Sequence, residues 1–314
     1  MAQIEERTGI GKAVKIILLI VITIIYLIPL FYIVNTSVRP WKQIREFPPK
    51  LIFEPNLGSY VRIFTARTVY PSDERPSEEE LAEMSWADRL VYQETGEQIV
   101  RRGDLPKRYV NSIIISIVST ALTIVLGTIA AYGFSRFKVK GKDDLLFFIL
   151  STRMLPPVVV VIPIFLMFRN IGLTDSHIGL ILLYTAFNVS FAVWVLKGFI
   201  DEIPTEYEEA AMVDGYSRFQ AFRKVVLPQS VTGIAATAVF CFIFAWNEYA
   251  FAFLLTRNTA QTVPAWLPYQ MGVLGYDWGA AAAGATLFLL PAMIFTILLR
   301  KHLVRGISFG AVRK

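Results

Sequence analysis

Four polar side chains interrupt the long apolar runs of this sequence and are its first candidates for chemistry: Arg153, Asn188, Asn247 and Glu248. A charged or amide group in such a run is costly and therefore marks a functional candidate. Amide and carboxylate groups beside aromatic rings could hydrogen-bond a polyhydroxy solute. The alternative is structural, because Asn often bonds between packed helices and Arg can extend to an interface or pair with a neighbour. Both interpretations stay open.

A second set of candidates lies in a polar stretch, residues 201–230, between two apolar runs. Thr205 and Glu208 have the spacing of a capping box, which predicts a helix that begins near Glu206. Gly215 predicts the end of that helix, because glycine readily adopts the left-handed conformation found after helix C-termini. The first half of the stretch should therefore be a short helix followed by a tight turn.

The second half of this stretch predicts another short helix. Ser217 and Gln220 form a second capping box, and Pro228 should end the helix before the next apolar run. The small side chains of Ala210 and Ala211 would let another protein approach the backbone closely. The pattern fits a docking element, although an amphipathic helix pair lying on lipid headgroups would look similar.

Other kinds of chemistry have little support. Two histidines and one cysteine, Cys241, provide neither a metal-ligand cluster nor a disulfide framework. The sequence contains no phosphate-binding GxxxxGK[ST] pattern, no nucleophile elbow and no acid–base pair beside the apolar runs. We therefore expect no catalytic residues, no metal and no cofactor.

Long apolar segments must position these residues. Only 18% of the 314 residues are charged, and the mean hydropathy is +0.50, which indicates an integral membrane protein. About 20 apolar residues cross a bilayer as a helix. The sequence predicts an all-α protein with six spans, the first of them an uncleaved span and not a signal peptide. The spans are Lys15–Val34, Val110–Tyr132, Leu145–Phe168, Ile178–Phe199, Ile234–Leu255 and Ala280–Leu299.

Basic residues set the orientation of these spans. They concentrate in both tails and in the connections after the second and fourth spans, whereas the two short opposite loops carry only Arg169 and Arg257. The positive-inside rule therefore predicts that both termini are cytoplasmic. This pattern accounts for the net charge of +6 without a nucleic-acid partner.

One outer loop is unusually long and charged. It runs over residues 35–108, and Ser77 with Glu80 forms a capping box that predicts a short surface helix. This charged insertion is either solvated surface or a partner-docking element.

The polar stretch resembles the EAA loop of ATP-binding cassette (ABC) importer permeases. The matching residues, at the family spacing, are Glu209-Ala210-Ala211, Gly215, Val225 and Leu227-Pro228, with Val225 replacing the usual Ile. The resemblance implies that this loop is a coupling helix seated in a cleft of a separate ATPase. The candidate ATPase-coupling residues are Glu208, Glu209, Ala210, Ala211, Asp214, Gly215, Leu227 and Pro228.

Three further segments resemble carbohydrate permeases of the maltose type, in particular the smaller subunit. They are Arg153-Met154-Leu155-Pro156-Pro157, Trp246-Asn247-Glu248, and Leu303-Val304-Arg305-Gly306 with Gly310-Ala311-Val312. The resemblance covers the chain except the charged insertion near residues 67–108, which is longer than usual. It implies the type I importer permease fold in a prokaryotic inner membrane.

The resemblance also implies a domain layout and partners. Residues 1–36 would be the tail and first span, 37–108 the outer loop, 109–302 the permease core with the coupling loop at 201–230, and 303–314 a second tail. The partners would be a second permease, an ATPase dimer, an extracytoplasmic solute-binding protein, membrane lipid and a sugar or polyol. Glycerol or a glycerol phosphate are alternative solutes, and an ion-coupled secondary transporter is an alternative class.

Overall fold

The computed structural model of the chain describes residues 9–48, 50, 52–71, 74–272 and 275–308. The motif Gly310-Ala311-Val312 lies outside the described residues, as do Arg7, Arg313 and Lys314 among the basic residues of the two tails. The chain divides into two compact units. One consists of Met1–Leu105 with Tyr269–Phe288, and the other of Pro106–Pro268 with Leu289–Lys314.

Helices dominate both units. Those that begin before residue 105 are α1 Gly9–Ser37, α2 Trp41–Ile44, α3 Gly58–Ile63, α4 Glu78–Glu83 and α5 Trp86–Thr95. Those that follow are α6 Leu105–Arg136, α7 Lys142–Ser151, α8 Pro157–Asn170, α9 His177–Asp201, α10 Glu206–Val213, α11 Arg218–Ala221, α12 Leu227–Gln229, α13 Val231–Trp246, α14 Ala250–Leu255, α15 Val263–Trp266 and α16 Trp278–Ser308.

Four helices in the described part of the chain are long and apolar enough to cross a bilayer. They correspond to the first, second, fourth and sixth predicted spans, and they cover Gly11–Ser37, Leu105–Arg136, His177–Asp201 and Trp278–Leu298. Two bent helix pairs raise the number of candidate spans to six if each pair is counted as one span.

The third predicted span is not a continuous helix. The segments Lys142–Met154 and Pro157–Asn170 meet at 92°. A 3₁₀ turn, Thr152–Met154, ends the first segment, and Pro156 is extended at φ −59° and ψ 131°. The prediction of one helix over Leu145–Phe168 was wrong because a proline lacks the N–H and disfavours helical geometry in the residue before it.

The fifth predicted span is also broken. Just before this span, the segment Arg218–Gln229 meets α13 at 72°. Beyond α13, the helix stops at Trp246 and resumes as α14 at Ala250, so Asn247 and Glu248 lie in a break and not within a helix. Broken helices at membrane depth are tolerated where they line a cavity or contact other protein.

The prediction of an all-α chain was wrong in the charged insertion. Strand β1, Thr65–Val69, pairs antiparallel with β2, Glu97–Arg102, and a short pair joins β3, Met271–Gly272, to β4, Gly275–Tyr276. β1 and β2 carry arginines and a glutamate, and β3 and β4 are only two residues long, so none of the four shows the apolar alternation that predicts a strand from sequence. The capping box that Ser77 and Glu80 predicted is confirmed at the start of α4.

A buried ionic cluster fixes the charged insertion within its unit. Asp277 Oδ2 lies 2.9 Å from Arg62 Nε and 3.1 Å from Arg67 Nη2, while Arg67 Nη1 lies 2.5 Å from Glu97 Oε2. Arg62 also pairs with Glu94. Burial opposes ionisation of Asp277, but the Arg62 guanidinium, the Ala280 N–H and Arg67 outweigh it and lower the pKa of Asp277. Sequence patterns missed this cluster because its members are far apart in the chain.

Close helix packing within the second unit depends on one small residue. A Cβ on Gly127 of α6 would lie 2.7 Å from the Cβ of Ala192 on α9. That distance is too short for two carbon atoms, so glycine allows α6 and α9 to touch. Ala131, four residues further along α6, is also fully buried.

Candidate functional site

The polar stretch 201–230 folds as the predicted helix, turn and helix. Gly215 has φ +90°, and the N–H of Gly215 donates to the Met212 carbonyl at 3.1 Å. The N–H of Tyr216 donates to the Ala211 carbonyl, also at 3.1 Å. These two bonds form a Schellman motif, which ends α10 and requires the left-handed residue.

The second half of the stretch is capped and anchored. Both hydrogen bonds of the Ser217–Gln220 capping box are present, so that prediction is confirmed. A π-helical turn, Phe222–Val226, follows α11 and buries Phe222 against Tyr132 of α6, with ring centroids 4.5 Å apart. The helix continues past Pro228 to Gln229 before it bends into α13.

Glu208 lies inside the protein and not on its surface. Its carboxylate accepts the Tyr132 hydroxyl at 2.8 Å and pairs with the Arg136 guanidinium, which also donates to the Ile203 carbonyl at 2.7 Å. The predicted Thr205–Glu208 capping box is absent, because Thr205 makes no side-chain cap. The expectation that Glu208 offers a charge to a partner is corrected: its charge fastens α10 to the end of α6.

The outer face of this loop carries most of the remaining candidates. Ala211 is buried and Leu227 is half-buried, so neither presents much surface. The exposed candidates are Glu209, Ala210, Asp214, Gly215 and Pro228. Glu209 is therefore a carboxylate that α10 presents to solvent beside a small side chain, on a loop that is held to α6 from behind.

Three of the four polar candidates in the apolar runs lie on one cavity. This small cavity has a volume of about 230 Å³, and Arg153, Asn188 and Glu248 line it together with Phe187 and Phe251. The fourth, Asn247, is outside the small cavity. Its amide donates to the Ile243 carbonyl at 2.8 Å, and its side chain is exposed. The sequence placed both Asn247 and Glu248 within the fifth span, but the helix ends at Trp246 and only Glu248 lines the small cavity.

Arg153 lies at the elbow of the broken third span. Its guanidinium is 4.2 Å from the ring centroid of Phe244 and 5.2 Å from that of Phe191, both within the range of a cation–π contact. Its hydrogen bonds to the Phe187 carbonyl and Asn188 Oδ1 are long, at 3.4 and 3.5 Å. The Arg153 guanidinium is therefore stabilised more by the two aromatic rings than by its hydrogen bonds.

Glu248 is largely engaged by the protein. Its Oε1 accepts the Phe251 N–H at 2.9 Å, and its Oε2 accepts the Ala252 N–H at 3.1 Å and the Tyr184 hydroxyl at 2.7 Å. The carboxylate thus caps the start of α14, where free N–H groups favour a negative charge. This structural role was not predicted, because the sequence placed Glu248 within a continuous helix.

Asn188 keeps most of its hydrogen-bonding capacity. It is buried on α9, and its Nδ2 reaches the Cys241 carbonyl only at 3.5 Å. An amide has two donors and an acceptor, and bonds at this length are weak. Asn188 is therefore the cavity residue most able to exchange its present contacts for those of a solute.

A large cavity of about 910 Å³ lies next to the small one. Asp143, Phe191, Trp194, Lys197 and Phe244 are among its lining residues. Its walls are mostly aromatic and aliphatic, with charges at one end. Sequence inspection missed it, since phenylalanine and tryptophan in an apolar run carry no signal that separates a cavity wall from a lipid-facing surface.

Asp175 joins two loops of the second unit. Its carboxylate accepts backbone N–H groups of residues 257–260 at 3.0 to 3.3 Å. Burial opposes ionisation of Asp175, but the N–H donors of Thr259, Arg257, Ala260 and Asn258 outweigh it, so its pKa lies below the ordinary value.

Within the described ranges, no group of three His, Cys, Asp or Glu side chains could hold a metal ion.

The chain is similar to known membrane transport proteins. The family described as "Binding-protein-dependent transport system inner membrane component" matches residues 123–309. A probable ABC transporter permease, y4oR of Sinorhizobium fredii, is 30% identical over 93% of this chain and 92% of its own. The trehalose transport system permease SugB of Mycobacterium tuberculosis is 38% identical over 68% of this chain and 79% of its own.

Solved structures share the fold. A chain of a bacterial ABC transporter involved in the import of the acidic polysaccharide alginate matches with a TM-score of 0.67 and 19% identity. The match covers 96% of this chain and 99% of that chain. At this identity the likeness concerns the fold alone.

Proposed function

Because the chain belongs to the family of inner membrane components of binding-protein-dependent transport systems, we propose that it forms half of the translocation pathway for a sugar or related polyol. The chain is an ABC importer permease subunit, a non-enzymatic transport component of the inner membrane. Solute would cross by alternating access, while separate subunits hydrolyse ATP.

The small cavity is the observation that carries the carbohydrate proposal. It combines an amide with spare hydrogen-bonding capacity, Asn188, with a guanidinium, Arg153, and aromatic walls. Ligand sites are mostly apolar with a few placed polar groups, and this cavity has that composition. Relatives named for sugars support the same class: trehalose for SugB, and trehalose/maltose for MalG of Thermococcus litoralis, which is 33% identical over 65% of this chain and 74% of its own.

The exposed face of α10 is the proposed contact with an ATPase dimer. Glu209 would bond to the ATPase, Ala210 would allow close approach, and Gly215 would maintain the turn. The Glu208–Arg136 pair supports this proposal, since a coupling element must be held firmly by the spans it moves. A rigid loop transmits displacement to α6 and α13 without deforming.

The remaining assembly follows from the family. We expect six spans with both termini in the cytoplasm. Residues 1–36 would form a tail and the first span, 37–108 the outer loop, and 303–314 a second tail. The core would be 109–302, with the coupling loop at 201–230. A second permease would complete the pathway, and an extracytoplasmic binding protein would deliver the solute. A solved alginate transporter in complex with its ligand-bound periplasmic protein supports that type of partner.

Uptake by reconstituted complex tests the solute class. The complex would be co-expressed from neighbouring genes, placed in proteoliposomes with its binding protein, and offered a labelled disaccharide, a polyol, glycerol and glycerol phosphate. ATP-driven uptake of a sugar or polyol that falls in the Asn188→Leu variant supports the proposal. Uptake of glycerol or glycerol phosphate alone, or sugar uptake unaffected by Asn188→Leu, contradicts it.

A further inference from the structure

Arg153, Phe191 and Phe244 separate the small cavity from the large one. Each residue comes from a different predicted span. Arg153 lies near the end of the first segment of the broken third span, Phe191 lies in α9, and Phe244 lies in α13. The two rings meet edge to face with centroids 5.6 Å apart, and the guanidinium lies against both. We call these three side chains the barrier cluster.

The two cavities follow one another along the same three elements. On α9 the small cavity is lined by residues from Tyr184 to Asn188. The large cavity continues from Phe191 to Asp201, with Glu202 directly after the helix. On α13 the order is reversed, with Ala236 and Phe240 on the large cavity and Ala245 on the small one. This reversal is the one expected for neighbouring antiparallel spans.

The barrier cluster lies where this order changes. Phe244 lines both cavities, Phe191 lines the large cavity, and Arg153 lines the small one. A solute that moved along these spans from one cavity to the other would have to displace these three side chains. The charges on the large cavity, Asp143 and Glu202 among them, lie at the end away from the barrier cluster, towards the loop 201–230.

Two helix breaks border the barrier cluster. Arg153 is within the 3₁₀ turn before the 92° elbow, and Phe244 is one turn before the break at Asn247. Hinges that absorb a conformational change are found at such element ends. Movement at either break would separate the guanidinium from the rings without disturbing the helices themselves.

We propose that Arg153, Phe191 and Phe244 form a gate that closes the solute pathway between the small and the large cavity. This inference rests on the proposed function, because it presumes that both cavities belong to the pathway. The cationic group seals the gap between two rings, and the gate opens when the third span moves relative to α9 and α13. The gate faces the cytoplasm through the large cavity.

Cysteine labelling tests the gate on the assembled complex. Cys241, the single native cysteine, would be replaced by Ala. Ala236→Cys then reports on the large cavity and Ala245→Cys on the small one, both on α13 and both buried. A membrane-impermeant cationic methanethiosulfonate would be added to inside-out vesicles, which present the cytoplasmic face.

A closed gate predicts faster labelling at Ala236→Cys than at Ala245→Cys, although the two positions are buried to a similar extent. Phe244→Ala and Arg153→Gln should each raise the Ala245→Cys rate roughly tenfold, because a cation–π contact of this kind no longer favours the closed state. The Ala236→Cys rate should not change. Phe147→Ala is the matched control, since it removes a ring from the wall of the large cavity but not from the barrier cluster, and it should alter neither rate.

Two results would overturn the gate. One is an equal labelling rate for the two cysteines when the barrier cluster has its native residues. The other is an Ala245→Cys rate that stays low in an assembled Arg153→Gln complex, which remains decisive if Phe244→Ala fails to assemble. Labelling needs neither solute nor ATP. ATPase stimulation by loaded binding protein is therefore measured separately, on the same complexes in detergent, where both faces are accessible. Failure of stimulation with intact labelling rejects the solute proposal alone, and normal stimulation with failed labelling rejects the gate alone.

Discussion

At the scale of single residues, Glu208 and Glu209 are chemically identical neighbours with opposite surroundings. Glu208 is buried against Arg136 and Tyr132, whereas Glu209 is exposed. The sequence pattern identified both as docking residues, since a spacing motif contains no record of which side of a short helix faces the protein. The partner of Glu208 is 72 residues away in the chain, so burial could not be anticipated from local sequence.

We predict that Glu208→Gln destabilises the permease while Glu209→Gln does not. Removing one member of a buried ion pair leaves the other charged and unpaired, which costs roughly 3–5 kcal/mol. Glu208→Gln should therefore lower the thermal unfolding temperature of the purified chain in detergent. Glu209→Gln should unfold like the wild type yet retain less ATPase during purification. Equal unfolding temperatures for the two variants would contradict this assignment.

Asp175 provides a test of pH dependence, again at a single residue. Its pKa is lowered in the folded protein, so its stabilising contribution is present above the unfolded pKa of about 3.9 and is lost as pH falls through the folded value. Asn tolerates the φ of +50° at this position, so Asp175→Asn removes the charge without backbone strain.

The expected result is a smaller loss of stability between neutral pH and pH 3 in Asp175→Asn than in the wild type, measured by thermal unfolding. Asp175→Asn should already be the less stable protein at pH 7. Glu79→Gln, which removes an exposed carboxylate on α4, should follow the wild-type curve. A wild-type pH dependence in Asp175→Asn would contradict a stabilising contribution from the ionised Asp175 carboxylate.

At the scale of elements, the sequence anticipated the existence of the six apolar segments but not their breaks. Hydropathy averages over a window, so it detects length and apolarity and passes over the elbow at Pro156 and the gap at Asn247. The same limitation hid the small cavity, which exists because these breaks turn Arg153 and Glu248 inward. Capping residues gave better local information: two of the three predicted boxes form.

Gly215 offers a prediction at the level of the coupling element. A Cβ there would meet no atom within 4 Å, so the cost of Gly215→Ala is conformational, about 1–2 kcal/mol for φ +90°. We expect weaker ATPase association and lower stimulated ATPase activity in this variant. Gly133→Ala is the matched control: Gly133 is helical and equally open, so alanine should be neutral or stabilising. If Gly215→Ala and Gly133→Ala changed ATPase association and stimulated activity equally, the turn at Gly215 would not be specifically required for coupling.

At the scale of the whole molecule, the class of protein was evident from composition, basic-residue placement and one loop motif. These are strong signals because each span must satisfy the same bilayer constraint and the loop must fit one kind of partner. The solute was not evident, because specificity depends on where a few side chains meet across spans. The ionic cluster around Asp277 was hidden for the same reason, as it joins residues more than 200 positions apart.

The most direct test of the account is co-purification with and without a reversed charge on the exposed face of α10. The chain would be tagged, co-expressed with its neighbouring genes, and compared as wild type and Glu209→Lys for bound subunits and for ATPase activity with loaded binding protein. We predict that an ATPase and a second permease accompany the wild type, and that Glu209→Lys loses the ATPase or its stimulation. A wild-type chain that captures no ATPase, or a Glu209→Lys complex with normal stimulated activity, would contradict the coupling role of this loop.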